Sequence, residues 1–133
     1  MPTAPPITRL VLYVRDIPKV AAFYMDNFGF LRLPGNEQDV VRLESPSGGC
    51  GLVILQASKG HRIGQSCVKL VFEIKDIGEF RKSCPIKFGP THKGNGYTFA
   101  NARDPAKNLI QISTYSRDNC LKGQRPVICQ PGS

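Results

Sequence analysis

Leu10-Val11-Leu12-Tyr13-Val14-Arg15-Asp16-Ile17 returns sixty residues later as Leu70-Val71-Phe72-Glu73-Ile74-Lys75-Asp76-Ile77, and the same offset carries Phe28-Gly29 onto Phe88-Gly89. Each copy is a β-rich run that stops at an aspartate, a residue type that caps helix N-termini through its side-chain oxygen. The spacing predicts two copies of one supersecondary unit, neither able to close a core alone. A groove between two such units would be a natural place for a small ligand.

Working outward from the first copy, Ile7 to Val14 reads as a strand, with Arg9, Val11 and Tyr13 on one face and Leu10, Leu12 and Val14 on the other. Asp16 caps a helix from Ile17 to about Phe28, with Pro18 in its first turn and Gly29 at the left-handed position that stops it. Three short strands follow, over Phe30 to Leu33, Gln38 to Glu44 and Cys50 to Gln56. Pro34-Gly35-Asn36 and Ser45-Pro46-Ser47-Gly48-Gly49 are the turns between them. The first β-α-β-β-β unit thus spans 7–56, and the polar stretch 57–65 is a linker.

The second unit, 66–114, retraces the order. Ser66 to Lys75 is a strand, Asp76 caps a shorter helix ended by Cys84-Pro85, and strands are expected over Ile86 to Phe88, Tyr97 to Ala102 and Leu109 to Thr114. The tail, 115–133, has little pattern beyond a short apolar run at Val127-Ile128-Cys129. The sequence therefore predicts a single α+β domain.

Composition limits the function. At 133 residues, with 41% hydrophobic and 21% charged residues, the chain has enough apolar surface for an ordinary core. No apolar run reaches the roughly 18 residues of a membrane span, and the N-terminal stretch lacks the apolar region of a secretory signal. The five cysteines, Cys50, Cys67, Cys84, Cys120 and Cys129, are odd in number and include no C-x-x-C pair. Free thiols in a reducing, cytoplasmic setting are expected. His61 and His92 do not cluster with them as a structural zinc site requires. The net charge of +8 raises the question of nucleic acid, but the basic residues are scattered with no aromatic interleaving. Neither a nucleic-acid nor a membrane partner is expected, whereas a small anionic ligand would suit a basic surface.

Three motifs, Leu12-Tyr13-Val14-Arg15-Asp16-Ile17, Ala22-Phe23-Tyr24 and Phe28-Gly29-Phe30, resemble the vicinal oxygen chelate superfamily of glyoxalase I, extradiol dioxygenases and the fosfomycin- and bleomycin-resistance proteins. Arg103-Asp104-Pro105-Ala106-Lys107-Asn108-Leu109-Ile110-Gln111-Ile112 is similar to the family's closing hairpin. The resemblance covers Ile7 to about Ser113 and implies two cupped mixed sheets with a divalent metal in the cup, held by His, Glu or Gln on the first and last strands of each unit. Those positions fall here on Arg9, Lys69, Gln111 and a residue near Ile54. A cationic Arg or Lys has no lone pair to offer and repels a divalent ion. No cofactor is therefore expected, and a divalent metal would mean that the matched positions are wrong.

The same strand alternation directs Arg9, Val11 and Tyr13, Lys69, Val71 and Glu73, and Leu109, Gln111 and Ser113 toward the cup. Arg9 and Lys69 could grip the carboxylate or phosphate of a ligand whose apolar part packs on Tyr13, Tyr97 and Phe99. Alternatively Glu73 pairs internally with Arg9 or Lys69. A desolvated Lys69 beside Arg9 would be the one candidate catalytic amine. Three functions stay open: a metal-free binding protein for an anionic or aromatic-acid ligand, a divergent glyoxalase I-type lyase or dioxygenase, and a non-catalytic interaction module. The resemblance also makes a homodimer plausible.

Overall fold

A computed structural model describes residues 5–35, 38–60, 62 and 64–116. His61, Cys120, Cys129 and the run Val127 to Cys129 lie outside them. The elements run β1 (Arg9–Val14), α1 (Ile17–Phe28), β2 (Leu31–Arg32), β3 (Val40–Glu44), β4 (Gly51–Gln56), β5 (Lys69–Glu73), α2 (Ile77–Ser83), β6 (His92–Lys93), β7 (Thr98–Arg103) and β8 (Leu109–Ser113). They form two four-stranded mixed sheets, ordered β1-β4-β3-β2 and β5-β8-β7-β6. This is the α+β, twice-repeated β-α-β-β-β architecture that the repeat predicts.

The repeat holds down to register. β1 pairs parallel with β4, Val11 opposite Val53, and β5 pairs parallel with β8, Val71 opposite Gln111. Both helices begin as the aspartates dictate: Asp16 accepts from the Lys19 amide at 3.1 Å and Asp76 from the Glu79 amide at 2.9 Å. The first helix ends on Gly29 at φ 72°, whose amide donates to the Met25 carbonyl while the Phe30 amide reaches the Tyr24 carbonyl.

Contacts divide the chain into two units. The first runs to Val68 and also takes in Arg103–Asn108, the turn between β7 and β8; the second holds Lys69–Ala102 and the chain from Leu109. In the first, α1 packs on β3 and β4. Ile17, Val20, Ala21 and Tyr24 are buried together with Val41, Leu43, Leu52 and Ile54. In the second, Leu70, Ala100, Ile110 and Ile112 make the buried face of the sheet. Burying one such aliphatic side chain contributes about 1.5–3 kcal/mol, which is why alternation fixes which face stays open.

Three expectations need correction. Ile86 to Phe88 is not a strand; the edge strand of the second sheet is His92–Lys93. Pro85 forces Cys84 into extended backbone at φ −138° and ends α2 five residues before the position matching the end of α1, and the chain then crosses to the edge with the Gly89 amide donating to the Asn101 carbonyl at 2.8 Å but no strand ladder. The strand expected from Gln38 starts at Val40, because Asp39 takes a left-handed φ of 60° that breaks extension. The first strand of the second unit is shorter than Ser66 to Lys75, and Val68 before it is 60% exposed.

Candidate functional site

Each sheet has one face buried and one open. The open face of the first carries Arg9, Val11 and Tyr13 from β1 and Val53 and Leu55 from β4. From β3 it carries Arg42, opposite Val53. Val11 and Tyr13 are 47% and 45% exposed, so this face is apolar at its centre with arginines around it. Arg42 is a cation that the repeat gave no reason to select. It becomes visible only when β3 is seen to pair with β4.

Register narrows the position expected near Ile54. Ile54 is fully buried on the opposite face. Val53 pairs with Val11 as Gln111 pairs with Val71, so Val53 is the counterpart of Gln111.

On the second sheet Lys69, Val71 and Glu73 of β5 are all exposed on the face that Gln111 shares. Lys69 and Glu73 stand four residues apart, about 13 Å along the strand, and no ion pair joins them among the described residues. That removes the expected Lys69–Glu73 bridge. The exposure of Lys69 also argues against the desolvation that a catalytic amine would need.

Gln111 donates from Nε2 to Asn101 Oδ1 at 2.8 Å. Asn101, on β7, went unselected in the sequence because nothing in its own strand marks it. Next to it lies a row of rings: His92 against Phe99 with centroids 5.2 Å apart, Phe99 against Tyr97 at 5.9 Å, and Tyr97 against Tyr115 at 5.1 Å. Tyr97 lies over Gly94, where any Cβ would collide with its ring. The structure thus brings Tyr97, Phe99 and Gln111 together with Lys69 and Glu73 on one sheet, and Arg9 with Tyr13 on the other.

A buried polar cluster sits apart from these faces. Tyr24 donates to Asp104 Oδ2 at 2.6 Å, and both residues are buried. Asp104 also accepts from the Ala106 amide at 2.8 Å, the Asn108 amide at 2.9 Å and the Asn108 side chain at 3.0 Å. Burial first, and the Asp104 charge and hydrogen bond after it, push the Tyr24 phenol far above its usual range. With its carboxylate satisfied by four donors, the pair is a structural clasp and not an acid–base device.

A sequence model of the Glyoxalase/Bleomycin resistance protein/Dioxygenase superfamily matches residues 7–112. The chain belongs to this superfamily. No curated protein gives a significant sequence match. Among solved structures, an antibiotic-binding protein of Streptomyces sp. CB03234, TnmS3, superposes with a TM-score of 0.70 at 15% identity, covering 84% of this chain and 97% of that one. An integron cassette protein from the mobile metagenome of V. cholerae gives 0.64 at 24% identity over 87% and 99%. A fosfomycin resistance protein from Listeria monocytogenes, complexed with Mn(II), gives 0.67 at 12% identity over 90% and 97%. At these identities the likeness is one of fold.

Within this superfamily member the donors for a metal do not fit. Among the described residues no three His, Cys, Asp or Glu side chains gather. The four matched positions carry Arg9, Val53, Lys69 and Gln111: two cations, a hydrocarbon and an amide already hydrogen-bonded to Asn101. Among the described residues, no helix is long and apolar enough to cross a membrane.

Proposed function

We propose that this superfamily member binds a small anionic or aromatic-acid ligand on the open faces of its sheets, without a metal and without turnover. The observation that carries the reading is that three of the four metal-ligand positions hold Arg9, Lys69 and Val53, leaving the Gln111 amide as the single donor type of the family's set. Arg9 offers a bidentate hold on a carboxylate or phosphate, and Lys69 a point charge. Tyr13, Tyr97 and Phe99 supply apolar contact, and Glu73 and Gln111 orient polar groups. The similar fold of an antibiotic-binding protein supports a binding role. The free thiols of Cys50, Cys67 and Cys84 support a reducing, cytoplasmic setting. The exposed Val11, Leu31 and Val71 support a homodimer, which sedimentation would detect.

The test is elemental analysis of the untagged protein together with calorimetric titration of 2-naphthoate. The expected result is no stoichiometric divalent metal, even after soaking with nickel, zinc, manganese or iron(II). Binding of 2-naphthoate should weaken about 10- to 100-fold in Arg9→Met or Lys69→Met, the range for one charge-assisted hydrogen bond. A stoichiometric metal would overturn the reading and bring forward the glyoxalase I-type lyase or dioxygenase.

A further inference from the structure

The Asn101–Gln111 pair is an amide bonded to an amide. Each side chain has a carbonyl oxygen and an NH2 group, and one contact of 2.8 Å consumes one donor and one acceptor. The Asn101 amide nitrogen and the Gln111 carbonyl oxygen then have no other partner among the described residues. Reversing both amides exchanges these roles but still leaves one whole NH2 group and one carbonyl oxygen without a partner in the pair. The pair therefore presents a mixed, uncharged edge on a half-buried face.

Such an edge selects among ligands. A carboxylate has acceptors only, so it can take the free NH2 group but gives the remaining carbonyl oxygen no donor. An amide or lactam carries one N–H and one C=O on adjacent atoms and satisfies both groups at once. Phe99 stands two residues along the same strand from Asn101, on the same face and about 7 Å away, with His92 stacked against it. A ring fused to the lactam would extend over these two rings, and stacking of that kind contributes to binding beyond its buried area.

We infer that the Asn101–Gln111 pair and the Phe99–His92 stack form a recognition site for an aromatic lactam, a planar ring system with an N–H and a C=O side by side. The inference rests on the binding role proposed above and names the neutral edge of the ligand, while Lys69, on the same open face as Gln111, addresses its acidic group.

The test titrates three probes by calorimetry: 2-quinolone, N-methyl-2-quinolone and 2-naphthoate. The methylated probe keeps the ring and the carbonyl but loses the N–H. The expected result is that 2-quinolone binds at least tenfold more tightly than its N-methyl form. That preference should vanish in Asn101→Leu and in Gln111→Leu, and in Asn101→Leu the 2-naphthoate affinity should change less than threefold. Equal binding of the two quinolones by the unaltered protein would overturn the inference without recourse to any variant. Binding of 2-naphthoate alone would overturn it too, while leaving the binding role intact. Binding of 2-quinolone alone, with the N-methyl preference, would support it and remove the anionic ligand from the proposed function.

Discussion

Ser45-Pro46-Ser47-Gly48, between β3 and β4, and Asp104-Pro105-Ala106-Lys107, between β7 and β8, are the same turn in the two sheets. In each, the first residue's carbonyl accepts from the fourth residue's amide, at 3.2 Å in one and 2.8 Å in the other, and the second residue is proline. The fourth residue has a positive φ in both, 93° at Gly48 and 69° at Lys107. The first turn meets that demand with glycine, which adopts it at no steric cost. The second places a lysine there and holds the turn with the Asp104 carboxylate, whose other bonds reach Tyr24 in α1. One turn is stable by local backbone preference, the other by tertiary hydrogen bonding, so damage to the second should spread further.

The largest expected effect breaks that comparison at its centre. Asp104→Ala strips the partner from the buried Tyr24 hydroxyl and from three other donors, and should cost about 3–4 kcal/mol in chemical denaturation. Ser45→Ala in the matching turn should stay within about 0.5 kcal/mol. Equal losses would mean that the two turns are held alike. The clasp also has a pH signature. Because the folded protein holds the Tyr24 proton far above the unfolded value of about 10, the stability is complete below pH 10 and declines as pH rises beyond it. The slope difference between the native protein and Tyr24→Phe should be about 1.4 kcal/mol per pH unit there. Parallel alkaline profiles would show that the phenol is not clasped.

Local signals made most of the fold legible: the repeat, the two capping aspartates and Gly29 each act within a few residues of themselves. The clasp was illegible because Tyr24 and Asp104 are 80 residues apart, and each has a sound local reading, one as a helix core residue and the other as a turn former. The same limit hid Arg42 and Asn101, whose faces depend on pairing with β4 and β8. The open-face residues Arg9, Tyr13, Lys69 and Glu73 were readable because strand alternation alone decides their side. Alternation places the last-strand position of the first unit only near Ile54, since a shift of one in a strand exchanges faces, and pairing with β1 narrows it to Val53.

A second contrast lies at the helix ends. α1 runs twelve residues and is closed by Gly29, whereas α2 runs seven and has no glycine cap. Arg81 serves instead: its guanidinium donates to the Gly89 carbonyl at 2.6 Å and the Phe88 carbonyl at 3.1 Å, and lies 6.0 Å from the centre of the Phe88 ring. It pins the extended segment after Pro85 that replaces the missing helical turn. Arg81→Ala should cost about 2 kcal/mol, since hydrogen bonds from a charged donor contribute about 1.5–3 kcal/mol in favourable settings and this one is only part-buried. Hydrogen exchange should rise at Gly89 and spare α1. Arg81→Lys should not restore protection, because one ammonium cannot reproduce the two-pronged geometry. Full rescue by lysine would reduce the residue to a surface charge.

The smallest effect has the opposite sign. Lys107 holds a left-handed backbone that costs an ordinary residue about 1 kcal/mol relative to glycine, and the Cβ of Lys107 lies only 2.7 Å from where a side chain at Gly64 would begin. Lys107→Gly transplants the Gly48 solution into the second turn. It relieves the φ of 69° and gives back part of the gain as extra freedom of the unfolded chain, so the net stabilisation should be about 0.5 kcal/mol. If the Asp104 network enforces this conformation against its preference, the gain should persist in Tyr24→Phe, where the remaining donors still fix the carboxylate. In Asp104→Ala it should grow, because there only glycine would favour the turn. Additive gains across all three backgrounds would show instead that the turn and the clasp are independent, and that the second sheet closes by the same local means as the first.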